Sequence, residues 1–357
     1  MVLITGGCGF IGSAFVLEWF RQSDEPLVNL DLLTYAGHLG NLASIEAHPS
    51  YRFVRGDIAD TALVGDLLGK HRPRAVIHLA AESHVDRSIS GPPAFVQTNV
   101  VGIVRLLEAV LAYWRGLPAD EAAAFRFLNV STDEVFGSLD AGAGGFTEQH
   151  RYEPSSPYSA SKAAADHFVN AWHHTFGLPG LTTHCSNNYG PRQFPEKLIP
   201  LMIHNAIRTT ALPVYGDGQH LRDWIHVNDH CSALFAVLAK GRPGQTYNIG
   251  GRSERTNLSV VHSICTALDK VRPRDGGKPY RELITHVQDR PGHDRRYAID
   301  DSRIAAEIGW RPTVPFEQGI RQTVGWYLEN PAWVESVTSG SYRQWVEQQY
   351  PWLAAAA

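Results

Sequence analysis

The sequence predicts an α/β protein: a parallel sheet covered by helices on both faces, continued by a smaller mixed α/β part. Three observations carry this. Short apolar runs without polar alternation recur through the first half of the chain, as expected of strands buried on both faces. Segments of helical periodicity separate them, the pattern of βαβ units. Beyond about residue 210 the pattern changes to short strands, helices and many Gly and Pro turns.

Taken in order, Val2–Thr5 is the first strand, running into glycines, and residues 10–21 the first helix. Further strands are predicted at residues 26–31, 51–55, 75–79 and 125–131, with helices at 62–69 and 95–114 between them. Residues 157–176 form a helix with Pro157 in its first turn and Ser155 or Ser156 as cap. A sixth strand at 181–185 and a helix at 195–207 follow. Residues 213–218 read as a strand entering a turn, 227–238, 258–268 and 316–328 as helices, and 247–250 and 297–300 as short strands. Residues 118–124 and 141–145 read as surface loops, and no internal repeat occurs.

With 357 residues, 43% of them hydrophobic, the chain has the material for a large core; at this size roughly 75% of the unfolded surface is buried. That excludes disorder, fibrous repeats and a disulfide-stapled miniature as whole-chain readings. The formal net charge of -4 gives no reason to expect a nucleic acid or an anionic membrane as partner. Arginine outnumbers lysine 26 to 6, which compositional bias explains without a phosphate ligand. Cys8, Cys185, Cys231 and Cys265 lie far apart, without metal-ligand spacing, so no metal and a reducing compartment are expected. The chain start lacks a basic, apolar leader and no run of 18 apolar residues occurs, so the sequence reads as a soluble, cytoplasmic protein.

Gly6, Gly9 and Gly12 lie between the first strand and the first helix. Glycines at this spacing permit a tight turn, a close approach of pyrophosphate to the helix N-terminus, and close packing of helix on sheet. Asp31 ends the second strand 19 residues after Gly12. A carboxylate there accepts the adenosine ribose hydroxyls and repels a 2′-phosphate, so NAD is expected rather than NADP in a Rossmann-type domain. Asp57, after the third strand, is a weaker candidate for the adenine end, and Leu79, Ala80 and Ala81 supply small residues beside the cofactor.

Tyr158 and Lys162 stand four residues apart on one helix face. The lysine cation and an oxidised nicotinamide ring would favour the phenolate, giving a base for a sugar hydroxyl. At the end of the fifth strand Thr132 precedes Asp133 and Glu134, where an open α/β sheet presents its chemistry. Two adjacent acids exceed what alcohol oxidation requires. Neighbouring carboxyls can split their pKa values so that one acts as acid and the other as base.

On these motifs the chain resembles the extended short-chain dehydrogenase/reductase family and, within it, the dTDP-glucose 4,6-dehydratases. The resemblance spans roughly residues 1–330: Thr5 to Gly12, Leu33 to Gly37, His78 to Ser88, Ser131 to Val135, Tyr158 with Lys162, Ser186 to Arg192, Phe194 to Pro200, Tyr215 to Gly218, Arg222 to Trp224, and Asp289 to Tyr297. It implies an NAD-dependent dehydration in which Tyr158 takes the 4-hydroxyl proton, Glu134 the C5 proton, and Asp133 protonates the departing 6-hydroxyl. Thr132 would assist Tyr158 near O4, and Lys162 would also hold the nicotinamide ribose. NAD+ would be tightly bound and regenerated in each cycle. It also implies that Phe10, Ile11, Leu32, Thr34, Ile58, Ser83, Asn99 and Asn188 join the cofactor set. Asn187 and Arg222 would hold the nucleotide diphosphate, and Lys197, Leu198, Pro213, Tyr215, Asn257, Arg290 and His293 the nucleotide end, with His84 and Glu196 near the sugar. Residues 1–190, with segments around 220–250 returning to them, would form the NAD-binding domain. Residues 191–330 would bind nucleotide sugar, and 331–357 form a helical extension. A homodimer is implied, paired through the helices at 95–114 and 157–176. A 4-epimerase, a decarboxylase or a dehydratase of another nucleotide sugar would share the Tyr158–Lys162 pair but, for the first two, not the need for both acids. A protein that only senses NAD would bind without turnover. Two positions depart from the family pattern: Leu32, where lysine is usual, and Phe136, where tyrosine is usual.

Overall fold

The apolar runs of the first half become the middle of a parallel sheet. A computed structural model describes residues 1–140 and 142–339; the extension predicted at 331–357 begins with the helix Pro331–Val337, and Ala141 and residues 340–357 lie outside the described residues. The strands are β1 (Val2–Thr5), β2 (Leu27–Asp31), β3 (Tyr51–Arg55), β4 (Ala75–His78), β5 (Arg126–Thr132) and β6 (Gly180–Cys185). They continue with β7 (Asn187–Tyr189), β8 (Leu212–Tyr215), β9 (Leu221–His226), β10 (Thr246–Ile249), β11 (Glu254–Thr256) and β12 (Ile284–Val287).

Seven strands form one sheet in the order β10-β6-β5-β4-β1-β2-β3, every neighbouring pair parallel. Six of them reproduce the doubly wound Rossmann order, which reverses direction beside β1 and so opens a crevice at the carboxyl ends of the strands. Register brings those ends level: Thr5 pairs with His78, His78 with Asn129, and Thr132 with Cys185. Every residue of β1, β2 and β4 is buried, the reason these strands carry no polar alternation.

Helices Phe10–Gln22 and Val227–Lys240 cover one face, where Phe15 and Phe235 stack with ring centroids 4.4 Å apart. On the other, Val64, Leu68, Leu106, Leu107 and Val169 from helices Thr61–His71, Ile103–Arg115 and Pro157–Phe176 pack with Leu3, Val28 and Val76 of the sheet. A second core, built on Tyr189, Met202, Ile264 and Tyr327, holds helices Leu198–Ile207, Asn257–Val271 and Phe316–Glu329 together. Around it lie a three-stranded sheet, β11-β9-β7, and a two-stranded one, β12-β8.

Some local readings change. Residues 118–124 are not a loop: Ala119–Ala124 is helical, with Asp120 and Glu121 in its first turn. Pro118 stands at its entrance, where proline starts a helix rather than breaking one. The helix predicted at 95–114 begins earlier, as Pro92–Phe95, passes through a π-helical stretch, Val96–Gly102, and becomes α-helical at Ile103–Arg115. Residues 297–300 form no strand; Ile299 makes one isolated bridge to Phe146. The span Pro92–Arg115 has the length and mean hydropathy (1.5) of a membrane helix, but half of it is buried in the fold and Arg105 pairs with Glu108 along it. These are the features of a core-covering helix.

Candidate active site

The glycine loop places its backbone against β4. A Cβ on Gly6 would stand 2.5 Å from the Ala80 nitrogen, and one on Gly12 2.1 Å from the Gly6 carbonyl oxygen, so neither position admits a side chain. Helix Phe10–Gln22 starts at Gly9 with no capping side chain and no acid in its first turn. Its free N–H groups and the positive end of its dipole therefore face the cleft without a competing anion, the setting that receives pyrophosphate.

One open cleft runs along the carboxyl ends of the parallel strands. Along one side run Gly6, Gly9, Phe10, Ile11, Gly12, Asp31, Leu32, Thr34, Asp57 and Ile58, then Leu79, Ala80, Ala81 and Ser83. Asp31 is buried, and each of its oxygens accepts one backbone N–H, Oδ1 from Leu33 and Oδ2 from Cys8, both at 2.8 Å. Each oxygen keeps lone-pair capacity for a ribose hydroxyl. Leu32, 45% exposed, forms the rim. These groups fit a dinucleotide with an unphosphorylated ribose.

At the far end the same cleft is lined by Thr132, Asp133, Glu134, Tyr158 and Lys162, together with Asn187, Asn188, Glu196 and Lys197. β5 ends at Thr132, and the chain turns through a 3-10 helix, Asp133–Phe136, with the Thr132 hydroxyl accepting the Glu134 N–H. Helix Pro157–Phe176 opposes it. Ser156 caps that helix through a reciprocal box, its Oγ accepting the Ser159 N–H at 3.1 Å while the Ser159 Oγ accepts the Ser156 N–H at 3.0 Å. That box fixes the first turn, which carries Tyr158.

The two acids differ. Burial, then the charges of Glu134 and Asp223, push the Asp133 carboxyl well above the usual range, and its Oδ2 is buried without a hydrogen-bond partner. Burial raises Glu134 too, but the positive charges of Lys197, Arg290 and Arg222 oppose the rise. Both carboxyls are raised, Asp133 well above its ordinary value, while three cations restrain the rise of Glu134. Tyr158 departs from expectation. In the protein alone burial raises the phenol, Glu134, Cys185 and Asp133 add to the rise, and the Thr132 hydroxyl works the other way. The Lys162 ammonium donates to the Val130 carbonyl at 2.9 Å and burial lowers its pKa. The expected depression of the phenol is not a property of the chain alone, because a buried phenol in acidic company stays neutral.

Asn99, His84 and most of the residues expected at the nucleotide end lie outside this cleft. Asn99 stands behind it: its side chain accepts the Glu82 N–H, donates to the Glu82 carbonyl and reaches the Ser161 Oγ, each at 2.9 Å, while Thr98 lines the wall instead. His84 is buried, its Nε2 3.2 Å from the Glu196 carbonyl oxygen. Glu196 is itself held by the Tyr35 hydroxyl at 2.8 Å and the Arg87 guanidinium at 2.9 Å. Lys197 donates to the Ser83 carbonyl at 2.7 Å. Leu198, Pro213, Tyr215, Arg222, Asn257, Arg290 and His293 do not line the cleft; they belong to the C-terminal part beyond it. Arg222 is buried over the Tyr297 ring at 4.3 Å and donates to the Asp294 carbonyl. Tyr215 and Arg290 meet on Asp86, each at 3.2 Å. His293 stacks on His220 at 3.6 Å, and both rings face the carboxylate of Asp289. The structure also brings in Glu82, Ser131, Cys185, Ser186, Gln193 and Phe194 as lining residues. Glu82, Ser131, Ser186 and Phe194 lay within the motifs that carry the resemblance, whereas Gln193 falls between two of them and Cys185 carried no signal beyond its strand.

Comparison with known proteins agrees with this geometry. Residues 3–323 match the family model described as GDP-mannose 4,6 dehydratase. The dTDP-glucose 4,6-dehydratase of Xanthomonas campestris pv. campestris (strain B100) is 61% identical over 341 residues, covering 96% of this chain and 97% of that protein. The dTDP-glucose 4,6-dehydratase 1 of Escherichia coli (strain K12) is 52% identical over 357 residues, covering 98% of each. Among solved structures, DesIV, a dTDP-glucose 4,6-dehydratase from Streptomyces venezuelae with NAD and TYD bound, is similar with a TM-score of 0.86 and 44% identity, covering 94% of this chain and 99% of that one.

Proposed function

The chain belongs to the GDP-mannose 4,6 dehydratase family, within the extended short-chain dehydrogenases, and from that premise we propose that it converts dTDP-glucose to dTDP-4-keto-6-deoxyglucose and water. The observation that carries the reading is the pair of carboxyls, Asp133 and Glu134, in one cleft with Tyr158 and Lys162. An epimerase or decarboxylase needs the second pair but not both acids.

When bound, NAD+ supplies a hydride acceptor for C4 and gives the hydride back at C6. The residues of the glycine loop, with Asp31 and Lys162, would hold it tightly enough to survive each cycle. Tyr158 acts as a phenolate, which the Lys162 ammonium and the positive charge of bound NAD+ would favour and to which the Thr132 hydroxyl donates; it takes the proton of the 4-hydroxyl and becomes the neutral phenol. The resulting 4-ketone acidifies the C5 proton, because charge left at C5 delocalises onto oxygen. Glu134, whose rise on burial Lys197, Arg290 and Arg222 oppose, removes that proton. Asp133, held protonated by burial, donates to the 6-hydroxyl, which leaves as water. Glu134 then returns its proton to C5, and the Tyr158 proton restores Asp133. Asn187, through its side-chain N–H, and Arg222, through its guanidinium, are assigned to the diphosphate.

The test is incubation with dTDP-glucose and UDP-glucose separately, followed by mass spectrometry. Loss of one water from dTDP-glucose, with deuterium placed at C4 recovered at C6, is the expected result. A product without deuterium at C6, when cofactor exchange is excluded, would sink the reading. We also read the enzyme as a cytoplasmic homodimer acting on a small molecule, with no nucleic-acid or membrane partner. Free, buried cysteines and the near-balanced charge support the compartment and partner readings, and exposed Val96, Val101 and Phe176 on the two predicted pairing helices support the dimer.

A further inference from the structure

Behind the catalytic wall lies a buried polar network that the reaction above does not use. Asp166, 5% exposed, follows Lys162 by one helical turn. Its Oδ1 accepts the Asn129 amide at 2.8 Å; its Oδ2 accepts the Ser131 hydroxyl at 2.8 Å and lies 3.0 Å from His184 Nε2. The Tyr152 hydroxyl is 3.0 Å from the same ring nitrogen, and His184 Nδ1 is 3.2 Å from the Asn248 Oδ1. One carboxylate thus ties helix Pro157–Phe176 to β5 directly and to β6 and β10 through His184. Its grip on β5 falls at Asn129 and Ser131, immediately before the Thr132–Asp133–Glu134 turn.

We propose that Asp166 is the positioning residue that fixes the Tyr158–Lys162 helix against the acid-bearing turn of β5 and supplies the counter-charge for the Lys162 ammonium. The proposal rests on the reading of Tyr158 and Lys162 as the pair that oxidises C4. The groups around Lys162 leave the counter-charge to Asp166. His78, hydrogen-bonded to Thr5, is pushed by burial down to about 3 and stays neutral. Burial pushes the Cys185 thiol up, so it stays uncharged. The Tyr152 and Tyr158 phenols are likewise raised, and Val130 offers only its carbonyl. His184, also in this wall, is turned to Asp166 and Asn248. Burial lowers the Lys162 pKa, and the Asp166 carboxylate is the largest influence opposing this.

Asp166→Asn keeps the shape but loses the charge, and its amide turns a donor toward a pocket of donors. In the holoenzyme we expect at least a tenfold fall in kcat, little change in KM, and an alkaline limb of the pH profile moved about one unit lower, as loss of a nearby opposite charge requires. The six lysines of the chain allow a second readout: in protein labelled at lysine, the Lys162 NMR resonance should titrate at lower pH in Asp166→Asn than in the wild type. Asp166→Glu should restore that midpoint while kcat stays low, and Ser131→Ala should lower kcat without moving it. Equal Lys162 midpoints in wild type and Asp166→Asn overturn the proposal, as does wild-type kcat in all three variants. If Asp166→Asn does not hold its fold in circular dichroism, the other two variants decide by the same kcat criterion. A wild type that does not dehydrate dTDP-glucose refutes the functional reading instead, and the lysine titration still tests the coupling of Asp166 to Lys162.

Discussion

Asp133 and Glu134 are neighbours in sequence, yet the fold gives them different surroundings: Asp133 is buried beside two carboxyls and Arg222 with one oxygen unpartnered, and Glu134 beside Lys197, Arg290 and Arg222. Glu134→Gln and Asp133→Asn should each lower turnover by about 10²–10⁴-fold while leaving C4 oxidation nearly intact in single-turnover absorbance. Tyr158→Phe should stop that first step. Equal loss of C4 oxidation in all three would overturn the division of roles. The raised Asp133 pKa also sets a sign for stability. The protonated form favours the fold below the ordinary aspartate value of 3.8, and that contribution is lost as pH rises through the higher folded value. Asp133→Asn, which cannot ionise, should therefore melt above the wild type, with a gap that widens as pH rises. A melting difference independent of pH would contradict this. Phe136 belongs to the same scale: buried, stacked on Phe146 at 5.1 Å and edge-on to His184 at 4.8 Å, it fills an aromatic pocket where no hydroxyl is required.

Two elements place the chemistry. The Ser156–Ser159 box sets where helix Pro157–Phe176 begins, so Ser156→Ala should cost about 1 kcal/mol, visible in thermal melts, and lower kcat by displacing the turn that carries Tyr158. The glycine loop is less forgiving. Because a Cβ on Gly12 would meet a carbonyl oxygen at 2.1 Å, Gly12→Ala should yield protein with little or no NAD, measured in the supernatant after denaturation. Full NAD content would show that the loop relaxes, contrary to the close packing described. The π-helical stretch Val96–Gly102 has a structural use as well. It carries Asn99, whose amide clamps the Glu82 backbone to Ser161 and so links the cleft wall after β4 to the catalytic helix.

For the whole molecule, a cofactor that binds only the folded state stabilises it by mass action. Stripping NAD should lower the melting temperature, and adding it back should restore the loss. Replacing Val96 and Val101 by glutamate should give a monomer in light scattering if the exposed apolar side chains of the 92–115 segment join two copies; an unchanged dimer would place the interface elsewhere. Most of the large sheet was legible because strands buried on both faces are written as unbroken apolar runs. β7, β9, β11 and β12 were not, since they include Asn187, Arg222, Asp223, Glu254 and His286, whose strand character comes from remote partners. The helix at Ala119–Ala124 was missed because proline starts as well as stops helices.

By itself the sequence determined the dinucleotide turn, the order of the main βα units, and the adjacent acids and Tyr–Lys pair proposed to carry the chemistry. Each is a local pattern, set by residue types at fixed short spacing. Only the tertiary structure decided that Asp133 is the orphaned acid and Glu134 the one faced by cations, that Tyr158 is raised in the protein alone, and that Asn99, His84 and Asp166 brace the site. Burial and charge neighbours come from segments far apart in the chain, and no short stretch of sequence encodes the electric field they produce together.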